Sequence, residues 1–400
     1  MHHLYNFKTM KLWNEGKLNK EIEDFTVGKD YILDQNLLKY DCLGSIAHAR
    51  MLGKIGILKK KEVQKLVKEL NNIIEIDREG KFKIKKEEED CHTAIENYLT
   101  KKLGEMGKKI HTGRSRNDQS LTALRLYFKD ELKEIEKLTQ KLIEEIKRFI
   151  KKYGKTEIPG YTHYRKAMPS TIEIWAEALS ESMADNLKLL NFTLELIDQS
   201  PLGSVVGYGV PLKLKREYTA KLLGFKKVQK NPLYAQNSRG KFESTIIHTL
   251  SQIMFDLNKI SSDLILFTMP EFGYFELPSE FCTGSSIMPQ KKNLDMLEIL
   301  KGNYHLICGF EFQVKSLISN LISGYSRDFQ LTKEPIMKSF EITKDSLSVA
   351  KLLFENLKVN TEKCKKGLTE EIYATEEIYK LVKKGIPFRE AYRKISEEYA

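Results

Sequence analysis

Between residues 283 and 298 the chain sets hydroxyls, a cation, an amide and a carboxylate at close spacing. The run is Thr283-Gly284-Ser285-Ser286-Ile287-Met288-Pro289-Gln290-Lys291-Lys292-Asn293, followed by Glu298. These residue types suit removal of a proton from a carbon beside a carboxylate. Charge then accumulates on that carboxylate as an aci-dianion, so a base must be held close and cationic and amide donors aimed at the growing charge. Ser285 serves as that base only if its alkoxide is stabilised. Gly284 gives the backbone freedom to turn N–H groups toward it, and Lys291 brings positive charge nearby. One at a time, the same residues also describe an ordinary surface loop before a helix.

Other stretches carry groups that hold small anions or move protons. His111-Thr112-Gly113-Arg114-Ser115-Arg116-Asn117-Asp118-Gln119 places two arginines one residue apart, after a glycine and before a long helical pattern. Guanidinium forks grip carboxylates bidentately, and a helix N-terminus adds N–H donors. The plainer alternative is that Arg114 and Arg116 brace the loop with ion pairs. Tyr161-Thr162-His163-Tyr164 puts a histidine in a loop bounded by Gly160 and Pro169, a better position for proton transfer than an apolar helix stripe. Two further polar blocks are Glu89-Asp90-Cys91-His92 and the segment 323–334 with Tyr325, Gln330 and Lys333.

Long amphipathic elements must position these blocks. Leu37 to Leu52 and Lys60 to Ile76 read as helices, and Asp77-Arg78-Glu79-Gly80 as a turn. From Leu121 to Lys152, Phe128, Leu132, Ile135, Leu138, Leu142, Ile146 and Phe149 recur at steps of three and four until Gly154 and Pro159-Gly160. Ser170-Thr171-Ile172-Glu173 reads as a capping box opening a helix to Ile197. Similar stripes run from Phe242 to Phe267, halted by Pro270, and from Leu297 to Leu321. This pattern predicts a mainly α chain built on a bundle of extended antiparallel helices. The expected division is 1–111, a mostly helical part; 112–355, the central bundle; and 356–400, a short helical tail.

Composition bounds the rest. Of 400 residues 41% are hydrophobic, ample for a large core, and only 23 glycines and 10 prolines punctuate the chain. Five scattered cysteines without a Cys-x-x-Cys pair read as reduced thiols of a cytoplasmic protein. No apolar run reaches membrane-spanning length, and Met1-His2-His3 begins no recognisable signal peptide. The net charge of +11 would suit a nucleic-acid binder. However, its lysines are interleaved with glutamates, as in Lys85-Lys86-Glu87-Glu88-Glu89, so a solvated surface and no nucleic-acid partner is the reading.

The Gly-Ser-Ser-x-Met-Pro-x-Lys-x-Asn loop with its following Glu resembles the signature of the aspartase/fumarase superfamily, and the 111–119 block is similar to that of its argininosuccinate lyase branch. Five blocks in the family's order extend the resemblance over almost the whole chain. It implies a three-domain fold, a homotetramer with a central twenty-helix core and active sites shared between subunits, and no metal or organic cofactor. It also implies a small-molecule substrate, argininosuccinate, split reversibly by β-elimination into fumarate and arginine in arginine biosynthesis. Ser285, His163, Lys291, Asn293 and Glu298 are then the expected catalytic set, with either Ser285 or His163 as base. His92, Arg114, Arg116, Asn117, Thr162, Tyr325, Gln330 and Lys333 are the expected substrate-binding set. Three features depart from the family pattern: no serine in the segment Phe25 to Tyr31, Gln236-Asn237-Ser238-Arg239-Gly240-Lys241 in place of a more acidic version, and an early C-terminus. Adenylosuccinate lyase, fumarase and aspartase are rival activities, and a non-catalytic crystallin-like role is a rival of another class.

Overall fold

The computed structural model describes residues 19–399; the Met1-His2-His3 start lies outside the described residues. Helix dominates. The five longest helices are Arg116–Tyr153, Ile172–Ile197, Lys241–Phe267, Asp295–Ile318 and Lys333–Asn356. Their periodic apolar positions are the buried ones. Phe128, Leu132, Ile135, Leu142, Ile146 and Phe149 are all shielded from solvent on the first, as are Ile246, Leu250, Ile253, Leu257 and Leu264 on the third. The two shorter helices near the start run Leu38–Lys54 and Lys60–Arg78, so the expected turn at Asp77 begins about two residues late.

Local chemistry sets the boundaries. The Arg116 helix starts five residues before the expected Leu121 because Ser115 and Asp118 satisfy its first donors: Ser115 Oγ accepts the Asn117 N–H at 3.2 Å, and Asp118 Oδ1 accepts the Ser115 N–H at 2.9 Å. Thr171, one residue later than expected, caps the next helix, its Oγ1 accepting the Ile174 N–H at 3.2 Å. The stretch 161–169 is not an irregular loop. Glu157–Thr162 and Arg165–Thr171 pair antiparallel, leaving His163 and Tyr164 as a two-residue turn in which both have positive φ, 52° and 59°. Twist-matched two-residue hairpins demand that backbone, and histidine tolerates it better than most side chains.

The chain divides into two compact units. One comprises the described part of Met1–Lys133 with Asn191–Ile247 and Phe310–Lys338; the other comprises Glu134–Leu190, His248–Gly309 and Ser339–Ala400. The first is organised by buried charge as well as apolar packing. Arg125 donates to the Gln199 carbonyl at 2.8 Å, Gln229 Oε1 at 3.1 Å and Ser238 Oγ at 2.7 Å, with its guanidinium 4.4 Å from the Phe242 ring centroid. Burial lowers its pKa to about 9, an effect the nearby Glu243 carboxylate partly offsets and the Arg239 charge reinforces. The second unit has an aromatic centre. Trp175 stacks on Phe275 at 4.7 Å between centroids, Phe149 meets Phe354 edge-on at 5.6 Å, and the indole N–H donates to Asp263 at 3.1 Å. Each such ring pair contributes about 0.5–1.5 kcal/mol beyond its buried area.

Candidate active site

In the first unit, a polar cavity of about 150 Å³ is lined by Asp30, Asp34, Glu89, Asp90, His92, Arg116, Asn117, Ser120, Arg239, Tyr325, Arg327, Phe329, Gln330 and Lys333. Six residues expected to bind substrate, His92, Arg116, Asn117, Tyr325, Gln330 and Lys333, therefore meet on one surface although they come from three distant segments. Four cations face four carboxylates there, which keeps the charge near balance before any ligand arrives.

Helix ends hold this cavity together. Asp90 caps the Cys91–Leu103 helix, its Oδ1 accepting the Thr93 N–H and Oγ–H at 2.8 Å each, and Asp34 Oδ2 accepts the Cys91 N–H at 3.3 Å. Those two carboxylates also anchor cations: Arg116 pairs with Asp90, and Lys333 Nζ lies 2.7 Å from Asp34 and 3.2 Å from Asp30. Burial works against the Lys333 ammonium, but the Asp34 and Asp30 charges outweigh it and hold the amine protonated well above its ordinary range. Gln330 donates to the carbonyls of Thr26 and Val27 at 3.0 and 3.2 Å, which ties the variant entrance segment to the cavity wall. Tyr325 stands 6.0 Å from Phe329, with the buried Arg239 guanidinium 5.4 Å from its ring; Arg239 also donates to the Asn117 carbonyl.

Arg114 is placed differently. It is buried, donates through Nη1 to Ser45 Oγ at 2.8 Å and does not line the cavity. The bracing alternative describes it better than the substrate-gripping fork. Its Nε is a buried donor without a partner among the described residues.

The signature loop and the histidine turn belong to the second unit. Thr283 and Asn293 bridge the loop's two ends, each N–H donating to the other's carbonyl at 2.9 Å, and Thr283 Oγ1 bonds Asp295 at the start of the following helix. Inside that closed loop Ser285 Oγ accepts the N–H groups of Ile287 at 3.3 Å and Met288 at 3.1 Å. Two backbone donors on one hydroxyl oxygen form the setting an alkoxide needs. Asn293 Nδ2 approaches the Gly284 carbonyl at 3.5 Å, Lys291 is exposed, and Glu298 is exposed in the first turn of the next helix. Thr162 and His163 are exposed on the hairpin. No hydrogen bond or ion pair joins His163 to Ser285 or to Glu298 among the described residues.

Sequence reasoning missed Asp30, Asp34, Asp41 and Arg327. Asp41 had a signal, since it interrupts the apolar face of Leu37, Leu38, Cys42 and Ile46. Asp34, Cys91 and His92 bring ligand-type atoms within 4.8 Å of one another. Lys333 already occupies Asp34, and His92 Nδ1 already faces Asp41, so we read that group as part of the charge network. No helix among the described residues is long and apolar enough to cross a membrane.

Comparison with known proteins follows the same lines. The family model described as lyase matches residues 10–309. The argininosuccinate lyase of Thermotoga neapolitana is 52% identical over 390 residues, 97% of this chain and 98% of the relative. That of Parabacteroides distasonis is 39% identical over 96% of this chain and 86% of its own length. Among solved structures, EDDS lyase in complex with formate superposes with a TM-score of 0.78 at 23% identity, covering 95% of this chain and 76% of the other. The class II fumarase of Schistosoma mansoni reaches 0.76 at 16% identity, covering 94% and 91%. These two share the fold.

Proposed function

Because this chain belongs to the argininosuccinate lyase family of the aspartase/fumarase superfamily, a family of carbon–nitrogen lyases, we propose how its residues perform the reversible elimination of argininosuccinate to L-arginine and fumarate. The observation that carries the reading is Ser285: its Oγ receives two backbone N–H groups within a loop closed by Thr283 and Asn293.

Ser285 takes a proton from the carbon next to the one bearing the departing nitrogen. The electron pair moves into the adjacent carboxylate, giving the aci-dianion, and Lys291 and Asn293 stabilise its charge. The C–N bond then breaks, the C=C bond of fumarate forms, and His163, polarised by Glu298, delivers a proton to the guanidinium nitrogen that leaves as arginine. The cavity residues Arg116, Asn117, His92, Tyr325, Gln330 and Lys333, with Thr162 of the hairpin, hold the substrate, and Arg114 braces the loop that carries Arg116.

His163 and Glu298 are exposed, Ser285 is half-buried and no bond joins the three among the described residues; this placement supports a site completed by other copies of the chain, consistent with a homotetramer and a shared twenty-helix core. A cytoplasmic location, no nucleic-acid partner and the three-part division at about residues 111 and 355 belong to the same proposal.

The test is fumarate release followed by ultraviolet absorbance, with argininosuccinate, adenylosuccinate, aspartate and malate supplied separately. Release from argininosuccinate alone is expected. Release from another of the four would reassign the substrate, and no release by folded protein would favour a structural, crystallin-like role.

A further inference from the structure

His92 lines the cavity, and its ring is gripped through one nitrogen. Its Nδ1 contacts Oδ2 of Asp41, fully buried on the Leu38–Lys54 helix and not part of the cavity lining. The Asp41 carboxylate is itself fixed on every side. Gln119 Nε2 donates to Oδ1 and Oδ2 at 2.9 and 3.1 Å, and Ser45 Oγ donates to Oδ1 at 3.1 Å. Arg114 Nη1 donates to that same Ser45 Oγ at 2.8 Å, and the Cys91 thiol lies 3.9 Å from Oδ2.

A buried carboxylate is costly unless its acceptor positions are filled. Here they are filled by groups that restrict it to one orientation, and its remaining partner is a ring nitrogen of a cavity residue. Burial alone would raise the Asp41 carboxyl, but His92, Arg114 and Gln119 outweigh burial and hold it at about 2, so it is ionised and accepts the imidazole N–H. An imidazole whose Nδ1–H is committed to a carboxylate has its tautomer and ring direction set.

We propose that Asp41 is a positioning residue for the elimination: by accepting Nδ1–H of His92 it fixes that ring's tautomer and orientation and so presents Nε2 to the substrate. This rests on the assignment of His92 to the substrate cavity. It also gives Arg114 a role without substrate contact, as the outer end of the chain Arg114, Ser45, Asp41, His92.

The experiment is a double-mutant cycle on the full chain with Asp41→Asn, His92→Asn and the pair, read as kcat/KM for argininosuccinate. Asp41→Asn is isosteric and is expected to lower kcat/KM on the order of 10- to 100-fold, as loss of an outer-shell carboxylate on an imidazole does. The double variant is expected to be no worse than His92→Asn alone, because Asp41 acts through that ring. The spectroscopic signature is the ring ¹⁵N pattern of His92 in ¹⁵N-histidine-labelled, sedimented protein, which eight histidines keep tractable. It should report protonated Nδ1 in the parent and a changed pattern in Asp41→Asn. Fully additive losses, or an unchanged tautomer beside a lowered kcat/KM, would make Asp41 merely structural and overturn the proposal. An unimpaired His92→Asn enzyme would instead remove His92 from the cavity assignment, and the proposal with it. If Asp41→Asn does not fold, Gln119→Leu, which loosens Asp41 without touching His92, carries the same cycle.

Discussion

Ser285 Oγ lies 3.1 Å from the backbone nitrogen of Met288, three residues ahead in the same loop, and accepts its N–H. With the Ile287 N–H on the same oxygen, the hydroxyl sits at the centre of a small turn closed by its own backbone donors. A turn of that kind stabilises an alkoxide more than a neutral hydroxyl, which is the difference a serine base requires.

Ser285→Ala should therefore lower kcat by roughly 10²–10⁴-fold, the range for loss of a positioned base, while KM changes little. Steady-state fumarate release measures both. A variant within threefold of the parent kcat would take Ser285 out of the base role.

If each site combines segments of several copies, two inactive variants can complement each other. Ser285→Ala and His163→Asn, unfolded together and refolded as a mixture, should recover measurable fumarate release that neither shows when refolded alone. A mixture as inactive as its parts would argue that both residues act from one copy.

Arg114→Lys keeps the charge but removes the planar fork that reaches Ser45. The expected loss is about 1–3 kcal/mol of stability, the usual range for a disrupted buried hydrogen bond. It should show as a lowered urea midpoint, with kcat/KM falling through the His92 chain. A KM raised tenfold at unchanged stability and unchanged kcat would instead place Arg114 directly on the substrate.

Lys333 is buried between Asp34 and Asp30, so Lys333→Met leaves two carboxylates facing each other without a cation. Breaking one side of such a pairing costs about 3–5 kcal/mol. Denaturant titration of the single variant, and of the Lys333→Met/Asp34→Asn pair, should show the loss and its partial recovery. A single variant losing less than about 1 kcal/mol would show the pairing to be weakly coupled to folding.

Acid stability should carry the mark of His48. Burial, reinforced by the Arg114 charge, lowers its pKa from 6.5 to about 3, and its Nε2 meets the Thr112 carbonyl at 2.9 Å. The unfolded chain takes up this proton first, so the stability held by neutral His48 is whole above pH 6.5 and drains as pH falls toward 3. The slope is about 1.4 kcal/mol per pH unit within that window. Asp41, lowered from 3.8 to about 2, adds a second loss as pH falls below about 4. His48→Gln keeps an N–H for Thr112 and should flatten the stability profile between pH 6 and 4; an unchanged slope would assign the acid sensitivity elsewhere.

The helical architecture was legible in the chain because its signals are local. Apolar residues at steps of three and four, a capping signal at Ser170-Thr171 and breakers at Gly154 and Pro270 act within a dozen residues, and each marked an element within a few positions of where it lies. The His163 hairpin escaped that reading. Its strands carry Pro159, Gly160 and Pro169, residues that ordinarily signal a loop, and its turn has no glycine.

By itself the sequence determined the family, the reaction and the long-helix frame, since a contiguous motif and a repeated periodicity are both properties of neighbours along the chain. Only the tertiary structure decided which charges face the cavity and which brace it. Arg114 and Arg116 stand two positions apart, yet one is buried on Ser45 and the other pairs with Asp90 at the cavity. Asp41 meets His92 across 51 residues, and Asp34 meets Lys333 across 299. A buried ion takes whichever partner packing brings within hydrogen-bond reach. That choice depends on how distant helices dock, and no local pattern records it.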